Sequence, residues 1–218
     1  MVYSDRHSAH YFSMISFLKR PLFLLALLAC SLGFLFGARA VSAATSTVCA
    51  SGCDFTTLGG PSGALNNVTS GDVIAVEATY TSTTEPVFPL NLTTPEVTLD
   101  CQSHPTWIGS TSTNYGDLNG NILYLASTTT VRNCSFGNII IATGSYVSGL
   151  TIVGNTFHPE VTTSTISFNN GAALFTVENN TNIGALGFNG STTSSGGYIL
   201  SNTFYSKQRS AFQGESCR

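Results

Sequence analysis

Asparagine recurs through the second half of this chain at Asn133, Asn155, Asn179 and Asn202, with gaps of 22, 24 and 23 residues. Two positions before each stands an aliphatic residue: Val131, Val153, Val177 and Leu200. Phe136, Phe157 and Phe204 follow three of the four within two or three positions. A period in the low twenties, carried by β-branched residues with no helical pattern, belongs to a stacked solenoid. Each repeat is then one coil with its apolar side toward the axis. Val131, Val153, Val177 and Leu200 are expected to line up in one interior column. Strands of successive coils pair at about 4.8 Å, so the four asparagines span roughly 15 Å. Asn tolerates the left-handed backbone at tight corners, and Asn side chains hydrogen-bond along a stack. Asn133, Asn155, Asn179 and Asn202 are therefore read as a structural ladder.

The composition agrees with an all-β chain. Only 9% of the 218 residues are charged and 42% are hydrophobic. Disorder goes with high charge and few apolar residues, and helices need more Lys, Glu, Arg and Gln on their polar faces. From Ala44 onward there are four basic and ten acidic residues, a net charge of −6. Nucleic-acid affinity comes from phosphate neutralisation, so this surface argues against such a partner.

Lys19 and Arg20 precede an apolar run from Leu22 to Phe36, followed by Ala38-Arg39-Ala40 and Val41-Ser42-Ala43. That order of charged, apolar and small residues is a secretory signal peptide, residues 1–43, with cleavage favoured after Ala43 and Met14 a better start than Met1. An uncleaved anchor is the competing reading, although the run is shorter than the ~20 residues of a spanning helix. Leu27-Leu28-Ala29-Cys30 resembles a lipoprotein box, but the apolar run continues past it. The membrane enters only through this export signal, and the mature product is placed outside the cell or at its surface.

Export allows disulfides. Cys49 and Cys53 flank Gly52 and are expected to form a local bridge, while Cys101 and Cys134 are candidates to join adjacent coils. Connectivity does not follow from spacing. Zinc would require four Cys or His ligands and no second close pair exists, so no metal or other cofactor is expected. Cys217 has no evident partner.

The stretch CASGCDFTTLGGPSGALNNVTSGDVIAVEATYT (49–81) resembles the opening of secreted right-handed parallel β-helix proteins of the pectate-lyase-like superfamily. Phe55-Thr56-Thr57-Leu58 stands where the family has a first strand. Ala64–Val68 stands for the short capping helix, and Gly71-Asp72-Val73-Ile74-Ala75-Val76 for the next strand. Thr79-Tyr80 replaces the usual Gly-x-Tyr, and Gly59-Gly60-Pro61 interrupts the approach to the helix. The resemblance implies a right-handed parallel β-helix with an N-terminal capping helix, covering residues 44–206. Further strands are expected at Val87–Leu92 and Val97–Asp100, with Pro86, Pro89 and Pro95 at their margins. Residues 207–218 form a polar tail with no cap signal, as in a chain whose last coil is covered by something else or which continues further.

Leu99 to Val131 is one coil plus about ten residues. The excess, at 102–120, holds His104, Trp107, Tyr115 and Asp117 amid Ser, Thr and Gly. Insertions in solenoids become loops on one face, often the binding face. These four residues are the ligand-binding candidates, and Trp107 covering the solenoid flank is the competing reading.

Many enzymes of the resembled superfamily are polysaccharide lyases, polygalacturonases or pectin esterases, but a fold does not confer an activity. A uronate lyase needs cations and a strong base, and the coil strands offer only Arg132. A glycosidase needs two carboxylates about 5–10 Å apart, and no Asp-Asp or Asp-x-Asp pair occurs. The Asn-Thr-Asp, Gly-His-Gly and Arg-Ile-Lys motifs of polygalacturonases are absent. Asp100 and Arg132 are read as a surface ion pair between coils and Asp72 as a turn former. No catalytic residue is assigned.

Five Asn-x-Ser/Thr triplets, at Asn67, Asn91, Asn133, Asn179 and Asn189, are no more than chance provides in such sequence. The reading is therefore an exported β-solenoid acting in adhesion, structure or glycan binding, with a polysaccharide or cell-surface glycan as partner. The alternative is the N-terminal part of a carbohydrate-active lyase or hydrolase.

Overall fold

The computed structural model describes residues 42–82, 85, 88–105, 107–109, 122–137, 139–158, 165–189 and 194–205, with the backbone alone for Trp107. Residues 1–41 of the expected signal peptide, Tyr115, Asp117 and the 207–218 tail with Cys217 lie outside the described residues.

The described chain is all-β, with parallel strands in stacked sheets, the arrangement of a β-solenoid. The seven-stranded sheet takes one strand from each coil: Thr45–Val48, Val73–Val76, Thr98–Asp100, Thr130–Arg132, Thr151–Val153, Thr176–Glu178 and Tyr198–Leu200. The five-stranded sheet is built from Leu90–Leu92, Ile122–Leu125, Ile140–Ala142, Thr165–Asn169 and Ala185–Asn189. Trp107–Ile108, Ser135–Phe136 and Thr156–Phe157 make a short third sheet. Parallel pairing without crossover helices requires that each strand return one coil later, which a sequence with this period provides.

The core is the inward residue of each strand repeated along the stack. Ile74, Leu99, Val131, Ile152 and Val177 are register partners in the seven-stranded sheet, and each is fully buried. Leu90, Leu123, Ile141 and Ile166 form the facing column. Phe136 and Phe157 stack with ring centroids 5.3 Å apart. Each such side chain contributes about 1.5–3 kcal/mol by leaving water. At the last described strand the column reaches Ile199, which is 44% exposed.

The coil period is as expected, but the interior column is not. Val131 pairs with Ile152, and Val177 with Ile199. Val153 and Leu200 instead align with Arg132 and Glu178 on the outer face. A shift of one residue along a strand exchanges its faces, and Ile152-Val153 and Ile199-Leu200 offer an aliphatic residue to both.

The ladder is corrected in the same way. Its rungs are Asn155, Asn180 and Asn202. Asn155 Oδ1 accepts the Cys134 N–H, Asn180 Oδ1 accepts the Asn155 N–H, and Asn202 Oδ1 accepts the Asn180 N–H, each at 3.0 Å. Each Nδ2 donates to a carbonyl one coil back, at Val131, Ile152 and Val177 respectively. Asn155 and Asn180 are fully buried, so these bonds satisfy backbone groups that no water reaches. Asn133 and Asn179 stand one position earlier, at left-handed corners with φ of 56° and 54°, and are not rungs. Cys134 occupies the rung position of its coil and is joined to Cys101 of the preceding one. The second disulfide is Cys49–Cys53.

Two local expectations also change. Residues 54–58 form no strand, and Phe55 makes only an isolated bridge to Val48. The Cys49–Cys53 bridge closes a tight loop there, and Asp54 is spent on the Thr47 N–H and hydroxyl. The first strand is Thr45–Val48, ahead of the cysteine loop. The helix expected over 64–68 is a single 3-10 turn, Ala64–Asn66, with Ala64 and Leu65 buried.

Candidate ligand-binding surface

The outer face of the seven-stranded sheet gathers polar side chains where the long insertion leaves it. Asp100 and Arg132 are register partners on adjacent coils, and Arg132 Nε donates to Asp100 Oδ2 at 2.8 Å. Asp100 Oδ1 accepts the Gln102 N–H at 2.9 Å and the Asn133 amide at 3.1 Å. Partial burial opposes the Asp100 charge, but the Gln102 N–H, the Asn133 amide and the Arg132 guanidinium outweigh it. Together they hold the carboxyl below its ordinary range. A carboxylate held this way stays ionised at neutral pH as the partner of Arg132.

After Asp100 the chain turns sharply. Gln102 and Ser103 both have positive φ, 53° and 60°. The Cys101–Cys134 disulfide fixes the turn from beneath, and the Ser103 N–H donates to the Asn133 carbonyl. The turn brings His104 Nε2 to 3.8 Å from Glu77 Oε2, while Gln102 Nε2 donates to Glu77 Oε1 at 3.1 Å. Glu77, Asp100, Gln102, His104, Arg132 and Asn133 thus form one continuous polar group spanning three coils.

Of the four ligand-binding candidates, His104 stands in this group. Trp107 starts the strand that pairs with Ser135 a few residues further on, and Tyr115 and Asp117 lie outside the described residues. Glu77 and Gln102 are additions. Glu77 follows directly on Val73–Val76, so aligning strand ends from coil to coil could have found it. The left-handed turn that places Gln102 has no Gly or Asn to announce it.

The arrangement offers a mixed set of donors and acceptors. Beyond its Nε bond, the Arg132 side chain makes no hydrogen bond among the described residues, and it is 45% exposed. Its terminal nitrogens are thus donors for an incoming hydroxyl or carboxylate. Among the described residues, no group of three His, Cys, Asp or Glu side chains is placed to hold a metal ion.

Compared with known family models, curated proteins and solved structures, the chain matches none.

Proposed function

We propose that this chain is an exported, non-catalytic β-solenoid that binds a glycan at the cell surface or outside the cell. The Glu77–Asp100–Gln102–His104–Arg132 group and the adjoining 102–120 insertion form the contact. The observation that carries the reading is the convergence of these side chains at the root of the one long insertion. Saccharide hydroxyls are bound by planar polar groups of this kind, commonly beside an aromatic ring. Trp107 supplies an aromatic residue in the same coil.

Two disulfides support a place outside the cytoplasm. Among the described residues no helix is long and apolar enough to cross a membrane. The coil stacking and the Asn ladder support a parallel β-helix, and its right-handed, pectate-lyase-like form is part of the proposal, resting on the resemblance of residues 49–81.

Binding to a panel of plant, algal and bacterial polysaccharides tests the reading. The expected outcome is retention by at least one glycan, weakened at least tenfold by Arg132→Ala and by Trp107→Ala, with thermal unfolding confirming that both variants fold. Binding that survives both substitutions would remove this surface from consideration. Release of unsaturated uronate from pectin or alginate would turn the reading toward a lyase.

A further inference from the structure

Asn179-Asn180-Thr181 is one of the five Asn-x-Ser/Thr triplets, and its corrected register gives it a different standing from the other four. Asn180 is the buried rung, whereas Asn179 is exposed at the corner. The Asn67 amide donates to the Pro61 and Gly63 carbonyls, Asn91 to Pro89, Asn133 to Asp100, and Asn189 to Ser167 and Asn169. The side chain of Asn179 makes no hydrogen bond among the described residues.

Its neighbours along the stack leave it room. The N–H groups of Asn133, Gly154 and Asn179 donate in turn to Val153, Glu178 and Leu200, so Gly154 occupies the same corner one coil back. Ser201 follows Leu200 at that corner in the next coil. Gly154 and Ser201 share the left-handed backbone, with φ of 66° and 53°. Asn179 therefore stands between a residue with no side chain and one with a hydroxymethyl group. Buried Asn180 carries the fold beneath it.

We propose that Asn179 is an N-glycan acceptor. The proposal rests on the export reading, because the donor, a polyprenyl-diphosphate-linked oligosaccharide, is met only on leaving the cytoplasm. In the transfer, Asn179 Nδ2 forms a bond to C1 of the first sugar as the C1–oxygen bond to the diphosphate breaks. The diphosphate departs with that electron pair, and the amide loses one proton to the transferring enzyme. The hydroxyl of Thr181 meets the requirement at the third position of the triplet. Transfer precedes folding, so the finished structure decides whether a glycan is accommodated, and this corner accommodates one.

The test is expression of the full chain in a eukaryotic secretory host, once as it stands and once with a host leader placed ahead of Met1. Secreted protein is deglycosylated by a glycan-releasing amidase in heavy-oxygen water and read by peptide mass spectrometry. The expected result is labelled aspartate at position 179 and a one-glycan mobility shift that Thr181→Ala abolishes and Thr181→Ser keeps. Unlabelled Asn179 in secreted, host-leader protein would overturn the proposal, and so would labelling confined to the other four triplets. Label with the host leader but none without it would sink the export reading and leave the acceptor assignment standing.

Discussion

Asn180 Oδ1 accepts two hydrogen bonds from Asn155, one from its backbone N–H at 3.0 Å and one from its side-chain amide at 2.9 Å. Asn180 Nδ2 returns a bond to the Ile152 carbonyl of the same neighbouring coil at 2.9 Å. One side chain thus closes two backbone groups of an adjacent coil inside the core. Asn180→Ala strands both, at about 1–3 kcal/mol for each group left unpaired. Asn179→Ala loses only tolerance of the left-handed corner, about 1 kcal/mol, and Asn179→Gly is expected to be neutral. Equilibrium denaturation of the three variants checks the ranking. Equal damage from Asn179→Ala and Asn180→Ala would refute the assignment of rungs.

The same comparison shows what the sequence carries and what it hides. The coil period is visible because the four coils from Val131 to Asn202 each repeat an aliphatic strand followed by an Asn within two or three positions. The register within a coil is hidden, because an Asn serves either the corner or the rung. Asn133 and Asn179 take the corner, Asn155 and Asn202 the rung, and Asn179-Asn180 supplies both. The Ile152-Val153 doublet leaves the direction of the strand equally open. Cys134 conceals the rung of its own coil, since the disulfide to Cys101 stands where another Asn would. At the surface, the Asp100–Arg132 pair is legible from coil spacing. Its link to Glu77 and His104 depends on the turn at Gln102–Ser103, which propensity alone does not announce.

The Cys101–Cys134 bridge continues the ladder by covalent means. Both sulfurs are in buried residues, and the bridge closes a segment with a sequence separation of 33 that includes the long insertion. Loop-closure entropy assigns such a bridge about 3–4 kcal/mol. The double variant Cys101→Ala/Cys134→Ala is expected to lose about that much in chemical denaturation. It is also expected to weaken glycan binding, since the Gln102–His104 turn loses its anchor. A stability unchanged from wild type would show that the insertion is held by other contacts.

Acid should destabilise the fold through Asp72 and Asp100. Asp72 is nearly buried and accepts the Thr69 N–H, the Ala44 N–H and the Thr69 hydroxyl, bonds that lower its pKa below the ordinary 3.8. Asp100 is lowered too, its hydrogen bonds and Arg132 overcoming the opposing effect of burial. A folded-state pKa below the unfolded one means that the unfolded chain binds protons first as pH falls. The stabilisation is complete above the unfolded value and is lost as pH drops through the folded one. Unfolding midpoints should therefore fall steeply below about pH 4. Asp72→Asn should lower stability at neutral pH and flatten that acid limb, and an unchanged limb in the variant would rule Asp72 out.

Alkali acts through Tyr80. Its ring is buried, and its hydroxyl donates to Glu85 Oε1 at 2.7 Å. The Glu85 carboxylate also accepts the Leu58 and Gly59 N–H groups at 2.6 and 2.8 Å, tying the first loop to the coil that follows. Burial first, and then the Glu85 charge and hydrogen bond, push the Tyr80 phenol far above its ordinary 10.0. Here the folded pKa is the higher one. The stabilisation is whole below the unfolded value and is lost as pH rises beyond it, because only the unfolded chain releases the proton. Stability should decline above about pH 10 in wild type. Tyr80→Phe removes that decline but leaves Glu85 short of a donor, at about 1–2 kcal/mol near neutrality. Thermal unfolding of both proteins between neutral and alkaline pH separates the two effects. A Phe variant that declines in parallel with wild type would assign the alkaline limb to other groups.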